Sequence, residues 1–314
     1  MAKRDIASFI SSGINSIDEL KAALQCAAEL EFSTIPPYLC AEWSIKADDS
    51  VAGSIIHEIV VQEMFHLGLV CNMLSAIGGR PSLTHKSFVP TFPRTGLPGG
   101  VHPELKVELL PLCPEAIKTF MQIEHPNGSP VALEESNYPS IGAFYKAIAA
   151  AFQTLRPQFV EAKQLEVKMA VGEVFAIKSV EDAARAIELI CEQGEGSSQS
   201  PLPPNEFFSG EPAHYYAFKQ LLLGKRLKKD ANGQWHFDGE DVPLPEAYQF
   251  SAGPAGASQD LQQMLGGLLI ALESAWTEDP ANFRKAMHHM MHLRHAGVAL
   301  VKAGIRPDFS APAQ

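Results

Sequence analysis

The chain has 314 residues, a formal net charge of −11, 46% hydrophobic residues and 19% charged residues. That balance belongs to an ordinary globular protein with enough length to bury a substantial core, and it excludes a disordered chain. The negative charge argues against binding driven by neutralising nucleic-acid phosphates, and no apolar run approaches the roughly 18 residues of a membrane span.

Met1 to Ser8 carries basic residues but lacks a following apolar region and a cleavage site, so it does not read as a secretory signal. Residues 16–46 read as a long helix: Ser16 can cap it, Glu19 follows three residues later, and Leu20, Leu24, Ala27, Ala28 and Leu30 keep helical spacing. Pro36-Pro37 should kink or interrupt it, with Thr34 and Tyr38 helping to satisfy the freed carbonyls. A second helix spans 51–77 and stops at Gly78-Gly79-Arg80-Pro81. The short turn between the two predicts an antiparallel pair that brings Glu31 and Glu63 to a similar height. Residues 80–139 are rich in Pro and Gly and read as an irregular crossover, with one short strand within Leu105–Leu110. Helices resume at 141–155 and 180–193, a loop covers 194–210, and a further helix opens at Pro212. Gln234 to Phe237 has the look of a hairpin strand, and 258–304 form a C-terminal helical hairpin turning at Asp279-Pro280. The five cysteines include no Cys-x-x-Cys pair: Cys26, Cys40, Cys71 and Cys191 read as reduced core thiols of a cytoplasmic protein, while Cys113 lies in a Pro-bounded loop, and the odd count argues against a disulfide framework.

The chemistry concentrates in Glu63-Met64-Phe65-His66. On a helix, Glu63 and His66 lie one above the other, and their neighbours on that face are Ile56, Ile59, Val60, Leu67 and Val70. A carboxylate facing such a core needs compensation, and a metal ion held by oxygen and nitrogen donors supplies it. Bundles that hold two metal ions take one Glu from each of two helices and a Glu-x-x-His from each of two others. A second Glu-x-x-His stands at Glu211 and His214, where Glu211 could instead serve only as a helix N-cap. Glu31 is the first choice for one lone glutamate, since its face carries Leu24, Ala27, Ala28, Thr34, Ile35 and Tyr38; its competitor Glu29 looks out toward solvent. Glu192 is the choice for the other, with Glu195 as the substitute if the charged residues Arg185 and Glu188 mark an exposed stripe. Tyr38 reads as a core tyrosine and His102 as a surface histidine, with a role near the site as the lesser reading of each. His288, His292 and His295 form one helical stripe, read as a packing surface more readily than as a second metal site.

Several segments taken together resemble a known family: 31–39 around Pro36-Pro37, 62–67, Asn72 to Gly79, Leu97-Pro98-Gly99-Gly100, Ile141-Gly142 with Tyr145, Glu192 to Gly196, and His214-Tyr215-Tyr216 with Phe218. It is similar to the ferritin-like domain family named for iminophenyl-pyruvate dimer synthase, found in bis-indole pigment pathways such as that to violacein. The resemblance covers most of the chain and is vaguer toward the C-terminus. It implies an all-α, ferritin-like four-helix bundle with a long irregular crossover and an added C-terminal helical hairpin, 1–314 forming a single elaborated domain. It implies the metal ligands Glu31, Glu63, His66, Glu192, Glu211 and His214. The pathway enzymes carry this domain within a much longer polypeptide.

The leading expectation is therefore an oxidative enzyme with a di-iron site, manganese being the alternative metal, acting on a small organic substrate such as an amino-acid-derived imine. The runner-up is a non-catalytic iron-binding or scaffold protein. A third reading has the glutamates simply paired with arginines in a helical fold. The expected partners are a small-molecule substrate and further copies of the chain in a homo-oligomer, with neither nucleic acid nor membrane; the histidine stripe would pack at a subunit or an inter-helix surface.

Overall fold

A computed structural model describes residues 6–47, 49–126, 140–169, 171–197, 200–203 and 210–310. Parts of the predicted crossover (127–139) and of the 194–210 loop lie outside the described residues.

The centre of the molecule is a pair of long helices, α2 (Ile17–Ser44) and α3 (Val51–Ala76), preceded by the short α1 (Ile6–Ser12). Ser16 caps α2 by accepting from the Glu19 amide, and Ser50 caps α3 by accepting from Gly53. The helices are antiparallel: His57 meets Glu42, Glu63 meets Thr34 and His66 meets Glu31, so one number rises as the other falls. α2 runs unbroken through Pro36 and Pro37. The carbonyls that the prolines free are those of Phe32 and Ser33, and the expected help goes elsewhere: the Thr34 hydroxyl faces the Glu31 carbonyl and that of Tyr38 bonds Glu124. α3 ends as the sequence requires. Gly78 takes φ +73°, its amide bonds Ser75 and the Gly79 amide bonds Leu74, so the last carbonyls are satisfied. By length and composition α3 is apolar enough to cross a membrane, contrary to the expectation above, but 89% of that stretch is buried inside the protein.

Shorter helices surround the pair: α4 (Pro114–Ile123), α5 (Ile141–Leu155), α6 (Val180–Gly194) and α7 (His214–Leu223), with α4 against α7 and α5 against α6. The helix α4 lies inside the stretch read from sequence as irregular. The same stretch holds the two-residue strands β1 (Arg94–Thr95) and β2 (Lys106–Val107), paired antiparallel. A hairpin of β3 (Val167–Met169) and β4 (Gly172–Val174) was not expected at all. β5 (Lys228–Lys229) pairs with β6 (Trp235–His236) where the polar strand was read. The C-terminal hairpin of α8 (Gln259–Thr277) and α9 (Phe283–Lys302) packs onto α2 and α3, and Asp279 caps the turn between them.

Asn72 ties these layers together. Its amide nitrogen donates to the carbonyls of Leu165 and Phe175, and its oxygen accepts from the Leu165 amide and the Trp276 indole. One fully buried side chain on α3 thus pins both ends of the β3–β4 hairpin and fastens α8. Glycines let the hairpin lie flat on the helix: a Cβ at Gly172 would stand 2.6 Å from the Phe65 ring, and one at Gly68 2.8 Å from Val174. Asn72→Ala strands two buried donors and two acceptors, each costing about 1–3 kcal/mol, so a loss of about 3 kcal/mol or more is expected in urea unfolding. A loss under about 1 kcal/mol would mean that water or relaxed backbone replaces these bonds.

Candidate metal centre

Glu31 sits mid-way along α2 and Glu63 and His66 mid-way along α3, each at most 4% exposed. Glu124, the residue that caps the C-terminus of α4, and His214, the first residue of α7, complete the cluster at 5% and 1% exposed. Their donor atoms fall into two groups, Glu31–Glu63–His66 and Glu63–Glu124–His214, with the atoms of each within 4.8 Å of one another. Glu63 belongs to both. Nδ1 of His66 lies 3.5 Å from Glu31 and 3.8 Å from Glu63, while Nδ1 of His214 lies 2.9 Å from Glu63 and 3.7 Å from Glu124. The two imidazoles face each other, 5.6 Å between centroids.

Each half of the cluster has the same supporting cast. The Tyr145 hydroxyl donates to Glu31, and the Tyr38 hydroxyl donates to Glu124 over 2.6 Å. Burial and the adjacent carboxylates raise both phenols well above their ordinary range, so they remain protonated donors. The Thr34 hydroxyl lies 2.9 Å from the second oxygen of Glu63 and 2.8 Å from the Glu31 carbonyl, and its single proton serves one of them at a time. Nε2 of His66 meets the side-chain oxygen of Gln193, and Nε2 of His214 meets that of Gln62, both over 2.9 Å.

The electrostatics are those of acids packed too closely. Burial, then Glu124 and Glu31, push the Glu63 carboxyl up to about 7, with His214 opposing. Burial alone would lower His214, but Glu124 and Glu63 outweigh it and raise this histidine to about 10. His66 is raised in the same way, burial being overcome by Glu31 and Glu63. Among the described residues, the ion-pair partners of Glu31, Glu63 and Glu124 are histidines alone.

A metal fits this arrangement. Nδ1 of His214 is buried and makes no hydrogen bond, although Glu63 is only 2.9 Å away. Two donors sharing one ion at bonds of about 2.0–2.2 Å and a right angle stand about 3 Å apart, without needing hydrogen-bond alignment. A cavity of about 20 Å³ lies between the donors, lined by Glu31, Glu63, His66, Glu124, Tyr145 and Glu195 among others.

Of the six ligand positions read from sequence, Glu31, Glu63, His66 and His214 come together and two do not. Glu211 precedes α7 instead of opening it, so the i, i+3 geometry with His214 never forms, and its carboxylate is held by Arg226 and Gln220. This is the glutamate–arginine pairing of the third reading; Glu42 and Glu173 also meet arginines, but outside the cluster. Glu192, half-buried on the last turn of α6, is in neither group. Glu195 follows α6 with helical backbone (φ −103°, ψ −16°) instead of swinging into the loop. That turns its carboxylate toward the cavity, where the Gly142 amide at the start of α5 donates to it over 2.7 Å. A Cβ at Gly142 would stand 2.5 Å from this carboxylate.

Glu124 was missed because its helix was missed, although Pro114 at the first position, Glu115 in the first turn and Ile117, Phe120 and Ile123 at helical spacing announce it. Glu29 is buried against His85 at 3.4 Å instead of facing solvent. His102 is buried, with φ +44°, instead of lying on the surface; burial and His125 lower its pKa while Glu124 opposes. His288, His292 and His295 are exposed on α9, apart from the cluster.

A buried set of carboxylates and imidazoles between helices, placed so that it could hold a metal, defines the class as a helical bundle. The ferritin-like family model matches residues 24–223, and the chain belongs to the ferritin-like family. A ferritin-like protein from Caulobacter vibrioides has the same fold, with a TM-score of 0.68 and 23% identity over 95% of this chain and 100% of that one. No curated protein matches the chain.

Because Glu63 is common to both groups, Glu63→Ala should abolish uptake of both ions, whereas Glu124→Ala or His214→Ala should cost one ion of two. Glu211→Ala should cost none. Elemental analysis of protein loaded without chelators reads this directly; equal losses at Glu211 and Glu124 would place the second group elsewhere. The pH dependence has a fixed sign. His214 is raised from 6.5 to about 10, so its contribution to the metal-free fold is complete below about pH 6.5 and is lost as pH rises through about 10. Over the same window metal affinity should rise, with proton release visible by calorimetry in buffers of different ionisation enthalpy.

Proposed function

We propose that the protein is an oxidative enzyme in which two iron ions, one in each carboxylate–histidine group, act on a small organic substrate, with an amino-acid-derived imine as the substrate class. The observation that carries the reading is the shared Glu63, a carboxylate buried between two histidines and two further carboxylates, whose ion-pair partners among the described residues are histidines. Three carboxylates with two imidazoles, and Glu195 at the rim, suit iron or manganese in preference to softer metals. Bound iron would supply the electrons for reduction of dioxygen or peroxide.

The chain's own residues prepare the site. Glu31, His66, Glu124 and His214 fix two positions on either side of Glu63, and burial keeps bulk water from the donors. Tyr38 and Tyr145 hold their protons at oxygens of Glu124 and Glu31, which orients those carboxylates. The imine substrate class is supported by the likeness of residues 31–39, 62–67 and 192–196 to the dimer synthase family. A reducing, cytoplasmic setting is supported by the five free thiols.

One observation favours the second reading, an iron-binding protein without turnover. The cavity of about 20 Å³ accepts a molecule the size of water or dioxygen and no organic substrate. Oxygen consumption by the iron-loaded protein separates the two. The enzyme reading expects many equivalents of oxygen per protein when a 2-imino acid is supplied, and none from Glu63→Ala. Uptake that stops after a single oxidation of the bound iron, with or without imine, establishes the binding protein instead.

A further inference from the structure

Two glutamines that no metal group includes are hydrogen-bonded to both histidines of the cluster. Gln193 Nε2 donates to the Val171 carbonyl over 3.2 Å, and Gln62 Nε2 donates to the same carbonyl and to Glu58, each over 3.4 Å. A carbonyl and a carboxylate accept only, so the NH₂ end of each amide must point at them. Each amide oxygen is then turned toward a histidine Nε2, at 2.9 Å. An oxygen there requires hydrogen on Nε2, which leaves the lone pair of the neutral imidazole on Nδ1, the atom that faces the carboxylates.

We propose that the Val171 carbonyl, acting through Gln62 and Gln193, is the positioning device that commits His66 and His214 together to bind metal through Nδ1. Gln62 and Gln193 are positioning residues, and the tip of the β3–β4 hairpin is the fixed point on which they bear. The hairpin is suited to this. Asn72 holds it at Leu165 and Phe175, and Gly172 lies against Phe65 with no room for a side chain. The pairing is crosswise: Gln62 stands one turn before His66 on α3, yet it bonds to His214, while Gln193 on α6 bonds to His66. An amide also differs from the carboxylates that often support metal-bound histidines, because it orients the ring without adding charge to a cluster already rich in acids.

The inference rests on the metal-binding part of the reading above, and it is tested with zinc, which needs no turnover. Gln62→Leu and Gln193→Leu keep the side-chain bulk and remove the acceptor. Each should weaken zinc binding about 10–100-fold in chelator competition, the usual cost of losing a histidine's supporting partner. Gln193→Glu keeps an acceptor at His66 Nε2 but loses the donor to the Val171 carbonyl, so it should recover only part of that loss. The spectroscopic signature is independent of metal. In long-range ¹H–¹⁵N spectra of the metal-free protein, both histidines should show a slowly exchanging Nε2–H; Gln62→Leu should remove protection at His214 and Gln193→Leu at His66. Leucine variants that bind zinc as tightly as wild type, or a Gln62→Leu effect confined to His66, overturn the inference. Wild-type protein that binds no zinc or iron overturns the metal reading instead, while the Nε2–H signals still decide the role of the glutamines.

Discussion

A carboxylate with almost no water around it has to be compensated, and the arrangement of this molecule turns on how that is done for Glu63. Transfer of a lone carboxylate into a protein interior costs several kcal/mol, so the group either takes up a proton or meets a positive charge. Here Glu31 and Glu124 are brought beside it, which makes the problem worse, and the raised pKa values of Glu63, His66 and His214 record the result. In the metal-free protein a raised affinity for protons at Glu63, His66 and His214 offsets that crowding. A pair of divalent ions would replace those protons with four positive charges, against the carboxylates of Glu31, Glu63, Glu124 and Glu195.

That demand explains features of the fold that would otherwise be separate curiosities. α2 and α3 must run antiparallel and close, so that Glu31 and Thr34 face Glu63 and His66. α4 must end where its capping residue can enter the cluster, and α7 must begin there. The tyrosines are drawn from α2 and α5, one for each outer carboxylate, and are wholly buried among aromatic neighbours such as Phe120 and Phe144. Among the described residues the C-terminal hairpin supplies no donor, and it is fastened to the central helices by the Trp276–Asn72 bond and by Arg294 on Glu42.

The parts of this arrangement legible in the sequence were those carried by long, regular periodicity. Both central helices, the Gly78-Gly79 stop and the pairing of Glu31 with Glu63 and His66 all follow from spacing on a helix. Legibility failed where a helix boundary decided the outcome. Two residues separate a helix beginning at Pro212 from one beginning at His214, and that difference removes Glu211 from the cluster. In the same way, one more residue of helical backbone after Gly194 turns Glu195 toward the cavity and leaves Glu192 outside its lining. Glu124 stood at the end of a ten-residue helix, hidden among prolines that drew attention to the irregular chain around it. The Val171 carbonyl could not have been found by residue type, since a main-chain acceptor leaves no mark in a sequence.

The two halves of the cluster also differ in how far along the chain their parts must travel to meet. The Thr34–Glu63 bond closes 29 residues, within one helical hairpin, whereas the Gln62–His214 bond closes 152. Local contacts form early at little entropic cost, and distant ones wait until the intervening chain has condensed. The half built on Glu31 and His66 can therefore assemble as soon as α2 and α3 zip together, while the half built on Glu124 and His214 closes last. For a growing chain, this sets an order: a nascent hairpin already displays three donors before the segment bearing the final histidine has been synthesised.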